Sequence, residues 1–99
     1  MANANIYDYI APGRRAHLAG IGGVSMSPLA EVLHKMGMVI TGSDMHESAT
    51  VEHLRSLGIP GAIGHRAENI EGAELVIRTA AIHDENPEIA AAPAKGIPV

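Results

Sequence analysis

The sequence predicts an α/β fold, a mostly parallel sheet of four to five strands with flanking helices. Three observations lead there. Short apolar runs alternate with stretches whose apolar residues recur at helical spacing. A glycine-rich turn, Gly20-Ile21-Gly22-Gly23, joins the first apolar run to the first helical stretch. Strands and helices alternating at this spacing give parallel strands joined by right-handed crossovers.

Each element has a local reason. Residues 1–15 read as a weakly ordered lead-in, with Ile6, Tyr7, Tyr9 and Ile10 available for packing. Ala16–Ala19 suits a first buried strand. Leu29, Val32, Leu33 and Met36 fall at i, i+3, i+4 and i+7, one face of a helix. Ser27 before Pro28 makes an N-cap and first-turn pair for that helix, and Gly37 is placed to end it. Met38–Thr41 reads as a second strand closed by Gly42-Ser43-Asp44. A second helix runs from about Thr50 to Leu57, with Val51 and Leu54 inward and Gly58 as its stop. Pro60–Ile63 holds at most a short third strand, and Glu74–Arg78 is a fourth. Asn86-Pro87 starts a third helix, which Pro93 should kink or shorten because an interior proline costs about 3 kcal/mol. Ile97-Pro98-Val99 looks like the opening of a fifth strand, as if the chain were an excised domain.

Composition narrows the function. The 99 residues make one small domain, 16–99, whose core must be packed from Leu, Ile, Val, Ala and Met, since Phe and Trp are absent. A net charge of −4 with no basic cluster beyond Arg14-Arg15 argues against a nucleic-acid partner. No apolar run approaches the roughly 20 residues of a membrane span, and the polar start is no signal peptide. The lack of Cys excludes disulfides and thiolate metal sites and accommodates a cytoplasmic setting. The six histidines form no metal-binding pair at helical spacing, so no metal site is expected.

The glycine turn carries the chemistry. A helix start holds about half a positive charge and several unpaired N–H groups, which favour an anion. Glycine lets the backbone approach that anion because no Cβ intervenes. Strand, glycine turn and helix in this order make a Rossmann-like phosphate site. Against the GxGxxG pattern Gly20 and Gly22 match, while Ser25 stands at the third glycine position. Asp44 lies 24 positions after Gly20, near the place of a ribose-binding acid in dinucleotide folds. A loop aspartate capping its own turn is the plain alternative. Gly64-His65-Arg66 and Thr79-Ala80-Ala81-Ile82 follow later strands, whose carboxyl ends converge on the ligand site of an open sheet. No nucleophile–base pair and no GxxxxGK[ST] loop is legible, so the residues point to binding and to no catalytic side chain. On these residues alone an NAD(P)-binding domain of an oxidoreductase or redox regulator fits as well as any other diphosphate binder.

Gly20-Ile21-Gly22-Gly23-Val24-Ser25-Met26-Ser27, Gly42-Ser43-Asp44, Leu57-Gly58, Gly64-His65 with Glu68-Asn69, Ala81-Ile82 and Asn86-Pro87-Glu88 stand in the order seen in Mur ligases. The chain resembles that family from about Ala16 to Val99. The resemblance implies a three-domain, cytoplasmic enzyme of peptidoglycan-precursor synthesis, of which this is the UDP-sugar-binding domain. It implies UDP-N-acetylmuramic acid as the bound partner and L-alanine as the amine, with a sister ligase recycling a muramyl tripeptide as an alternative. ATP and magnesium would act in the central and C-terminal domains, leaving this fragment inactive alone and without a cofactor of its own. Carried over by position, Gly20, Gly22, Gly23, Val24, Ser25, Met26 and Ser27 would hold the diphosphate. Ser43 and Asp44 would sit near the nucleoside, and His65, Ala80, Ala81 and Ile82 would line the same cleft. Thr79-Ala80 stands where many members carry two serines.

Overall fold

The structure is a computed structural model that describes residues 9–79 and 82–97. Expectations that fall on Ile6, Tyr7, Ala80, Ala81 and Pro98-Val99 lie outside the described residues. The elements are β1 (Arg15–Ala19), α1 (Met26–Lys35), β2 (Val39–Asp44), α2 (Ala49–Ser56), β3 (Gly61–Ile63), a 3₁₀ turn (Ala67–Ile70), β4 (Leu75–Ile77) and α3 (Pro87–Ala94). The four strands are parallel and lie in the order β3-β2-β1-β4.

β1 is central, and Ala16 through Ala19 are buried because both faces of the sheet are covered. Its alternate residues face opposite ways. Ala16 and Leu18 enter a core with Met26, Ala30 and Leu33 of α1, Ile40 of β2, and Val51 and Leu54 of α2. Ala19 enters a second core with Ile70, Val76, and Ile89 and Ala92 of α3. Tyr9 and Ile10 pack against the first core, and Arg14 lies over the Tyr9 ring.

Three local expectations are corrected. First, α1 starts at Met26 with Ser25 as N-cap, so Ser27 is a buried first-turn residue and caps nothing. Its N–H instead reaches back to the Gly23 carbonyl at 3.0 Å, which winds the glycine turn straight into the helix. Second, the buried face of α1 is Met26, Ala30 and Leu33, while Val32 and Met36 are 55% and 44% exposed. Small Ala30 lets the helix approach the sheet, and counting large apolar residues overlooks it. Third, Gly42, Ser43 and Asp44 do not close β2 but continue it, paired with Gly61, Ala62 and Ile63 of β3. Weak β-propensity there is overridden by pairing.

The remaining elements form as their sequence suggests. Ser48 caps α2 by accepting from the Val51 N–H, and Gly58 ends it at a φ of +93°. Asn86 caps α3 by accepting from the Glu88 N–H, with Pro87 in the first turn. α3 runs through Pro93 and stops one residue later, so the proline shortens it without breaking it midway.

Gly42 has a packing reason to lack a side chain. A Cβ there would sit 2.6 Å from Ile21 Cβ, deeper than any real contact. We predict that Gly42→Ala destabilises the chain by about 1–3 kcal/mol through overpacking. Urea unfolding measures this, and an unchanged midpoint would show that Ile21 has room to move.

Candidate functional site

β1 leads through α1 to β2 on one side, while β4 lies on the other side of β1. The chain thus reverses direction between β1 and β4, and a crevice opens at the carboxyl ends of such strands. An open cleft of about 490 Å³ occurs there. Gly20, Gly23, Val24, Ser25 and Met26 line it after β1, Asp44 and Met45 after β2, His65 after β3, and Thr79 and Ile82 after β4. All four strands deliver a residue to it.

The glycine turn is strapped down before it reaches the cleft. Gly20 and Ile21 both donate backbone N–H bonds to the Ser43 carbonyl, at 2.8 and 2.9 Å. Gly22 donates its N–H to Asp44 Oδ2 at 2.9 Å, and Gly23 donates to the Gly20 carbonyl at 3.0 Å. Gly20 adopts a φ of +82°, which glycine reaches without strain. Among the described residues, the N–H groups of Val24, Ser25 and Met26 have no acceptor. They are the open donors of the α1 start, and Val24 is 97% exposed. The arrangement can hold an anion through main-chain donors and the helix dipole.

Asp44 combines two functions. One carboxylate oxygen pins the glycine turn, while the other lies 3.4 Å from the His46 N–H, the capping contact of a loop aspartate. It still lines the cleft. Ser43 does not: it is fully buried, with its hydroxyl in a polar cluster under the cleft.

That cluster centres on Glu88, which is completely buried. Its Oε1 accepts from His17 Nε2 at 2.9 Å and from the Ser43 hydroxyl at 2.7 Å. Its Oε2 accepts from the Asn69 amide at 2.6 Å and the Arg66 N–H at 3.3 Å. His17 is itself buried in β1, with Nδ1 2.8 Å from Thr41 Oγ1. His65 joins through Nδ1, 3.0 Å from Ser43 Oγ and 3.4 Å from Glu88 Oε1. Burial pushes the Glu88 carboxyl up, but the bonds from His17, Asn69 and Ser43 and the attraction of His17 outweigh it. The pKa is lowered to about 2. Among the described residues, no group of His, Asp and Glu is arranged to hold a metal ion, and no helix is long and apolar enough to cross a membrane.

A sequence model described as the Mur ligase family, catalytic domain, matches residues 15–99. The chain belongs to the Mur ligase family. It is 58% identical over 83 residues to a UDP-N-acetylmuramate–L-alanine ligase of Legionella pneumophila, covering 84% of this chain and 18% of that protein. It is 51% identical over 83 residues to the protein of that name from Neisseria gonorrhoeae, with the same two coverages. Among solved structures, the UDP-N-acetylmuramate-alanine ligase of Thermotoga maritima superposes with a TM-score of 0.82 at 39% identity, over 85% of this chain and 20% of that one. A murein peptide ligase of Psychrobacter arcticus superposes with a TM-score of 0.79 at 25% identity, over 87% and 18%. The chain thus spans about a fifth of the length of the Mur ligases it matches.

Against the expectations from sequence, Gly20, Gly23, Val24, Ser25, Met26, Asp44, His65 and Ile82 meet at one cleft. Gly22 stands just behind it, held by Asp44, and Ser27 and Ser43 are buried. Ala80 and Ala81 lie outside the described residues. Sequence reasoning gave no role in the site to His17 or Thr41 and treated Asn69 and Glu88 only as parts of motifs. One signal was available: His17 sits between Ala16 and Leu18 in a strand buried on both faces, where a polar side chain requires a partner.

Glu88 ties stability to pH. Its folded pKa of about 2 lies below the ordinary 4.5, so its contribution is full above 4.5 and falls away as pH drops towards 2. We predict that stability declines across this window. Glu88→Ala should remove that dependence and cost roughly 3–5 kcal/mol, as breaking a buried pair does. Denaturant melts of both proteins at successive pH values measure it; parallel pH curves for the two would refute the assignment.

Proposed function

We propose that this chain is the UDP-sugar-binding part, residues 16–99, of a ligase that joins UDP-N-acetylmuramic acid to L-alanine, with residues 1–15 as a lead-in. The observation that carries the reading is the row of open main-chain donors at Val24, Ser25 and Met26, set at the sheet's switch point in a Mur ligase chain. A diphosphate placed there would receive three N–H bonds and the positive end of α1. Asp44 and Met45 on one side, and His65 and Ile82 on the other, would flank the attached nucleoside and sugar.

Membership of the Mur ligase family removes the support for an NAD(P)-binding oxidoreductase, which the residues alone left open. Higher identity to the solved alanine ligase (39%) than to the murein peptide ligase (25%) favours L-alanine over a recycled tripeptide. In the reaction we infer, ATP and magnesium activate the muramate carboxyl as an acyl phosphate, which the amine of L-alanine attacks. A GxxxxGK[ST] loop to hold ATP does not occur in these 99 residues. We therefore assign ATP, magnesium and catalysis to parts of the enzyme outside the matched span, and the step to the cytoplasm. This chain would bind the sugar nucleotide and have no activity alone.

Calorimetry is the test. We predict saturable binding of UDP-N-acetylmuramic acid and none of NAD, with the fold stabilised by about 2.7 kcal/mol at a hundredfold excess over Kd. Binding of NAD in preference to the UDP-sugar would overturn the proposal. Asp44→Ala frees the Gly22 N–H and loosens the turn, so we also predict a Kd raised about tenfold or more. An unchanged Kd would show that the strap on the glycine turn is dispensable.

A further inference from the structure

Protons in the cluster beneath the cleft can be assigned one by one. Glu88 is held as a carboxylate, which only accepts, so each group touching it must donate. His17 Nε2, 2.9 Å from Oε1, therefore carries a hydrogen. Ser43 has a single hydroxyl proton, and it lies on the 2.7 Å bond to the same oxygen. Towards His65, Ser43 Oγ then offers only lone pairs. Nδ1 of His65, 3.0 Å away, must carry the proton of that bond. The 3.4 Å approach of Nδ1 to Glu88 Oε1 has the same polarity. A neutral His65 with its proton on Nδ1 has a lone pair on Nε2. His65 is a wall of the cleft, its Nδ1 edge is committed inward, and its side chain is 5% exposed.

We propose that Glu88, acting through Ser43, is a positioning residue that holds His65 in the Nδ1–H tautomer, so that Nε2 meets the ligand as a hydrogen-bond acceptor. The inference rests on the proposed function for the ligand's identity, though the tautomer itself is a property of the free protein. It divides the cleft by polarity. The open N–H groups at the start of α1 receive anionic oxygens, while His65 Nε2 selects a ligand group that donates, a ribose or sugar hydroxyl or the imide N–H of a pyrimidine base. A merely structural cluster would hold α3 in place and leave the tautomer of His65 to solvent.

The test is nitrogen-15 correlation spectroscopy of the histidine rings in the labelled 99-residue chain at about pH 8, above the ordinary histidine range. The wild type is expected to show His65 protonated on Nδ1 and bare on Nε2. Ser43→Ala is expected to lose that pattern, giving the Nε2–H form or a mixture, and to bind UDP-N-acetylmuramic acid about fivefold to tenfold more weakly. A wild-type His65 protonated on Nε2 overturns the proposal, whether or not the variant folds. So does a folded Ser43→Ala protein whose His65 pattern is unchanged. Saturating UDP-N-acetylmuramic acid is expected to move the wild-type Nε2 resonance as it accepts a bond, and a bound ligand that leaves it unmoved overturns the acceptor assignment. Base-methylated UDP and deoxyuridine diphosphate then separate imide from hydroxyl, according to which one fails to move Nε2. Failure of the wild type to bind the UDP-sugar at all would count against the proposed function, with the tautomer of the free protein still deciding the positioning by Glu88.

Discussion

Glu88 keeps its charge inside the protein because donors from three separate segments converge on it. His17 comes from β1, Ser43 from β2, and Asn69 with the Arg66 N–H from the stretch after β3. An ionised carboxylate buried without such partners is too costly to persist. α3 can therefore dock with its first turn inward only when two strands and the turn beyond β3 are in place. Ile89 and Ala92 then close the second core against Ala19, Ile70 and Val76. The carboxylate links the packing of α3 to the loop that carries His65 into the cleft.

β2 is the other organiser, and three successive residues show how. Gly42 leaves room for Ile21, whose position sets the exit of the glycine turn from β1. Ser43 uses its carbonyl to receive Gly20 and Ile21 and its hydroxyl to reach Glu88 and His65. Asp44 holds the Gly22 N–H. Alternation along the strand sends Gly42 to the apolar face and Ser43 to the polar one. A register slip of one residue would exchange them and dismantle both the turn and the cluster.

The Mur ligase family membership and the cleft support one picture of function. Donors that the turn does not use internally, at Val24, Ser25 and Met26, remain for an anionic ligand. The donors nearer β1 are spent on Ser43 and Asp44, which makes the turn rigid before anything binds. Such preorganisation lowers the ordering cost of binding. Beneath the opposite wall, the buried cluster does the same for the ring of His65.

Much of this protein was legible in the chain. The alternation of strands and helices, the strand–glycine turn–helix order, the cap at Asn86 and the stops at Gly37 and Gly58 are local signals, because each depends on a few adjacent residues. So is the gathering of the glycine turn, Asp44, His65 and Ile82 at one end of the sheet, which parallel topology dictates. Other features were decided only by tertiary structure. The length of β2 depended on partners from β1 and β3, the buried face of α1 on how closely Ala30 meets the sheet, and the place of Ser43 on which face of β2 it took. Most of all, the pairing of His17 with Glu88 joins residues 71 positions apart. The place of His17 in a buried strand signals that it needs a partner but not which one, since the bond to Glu88 comes into being only when β1 and α3 lie face to face.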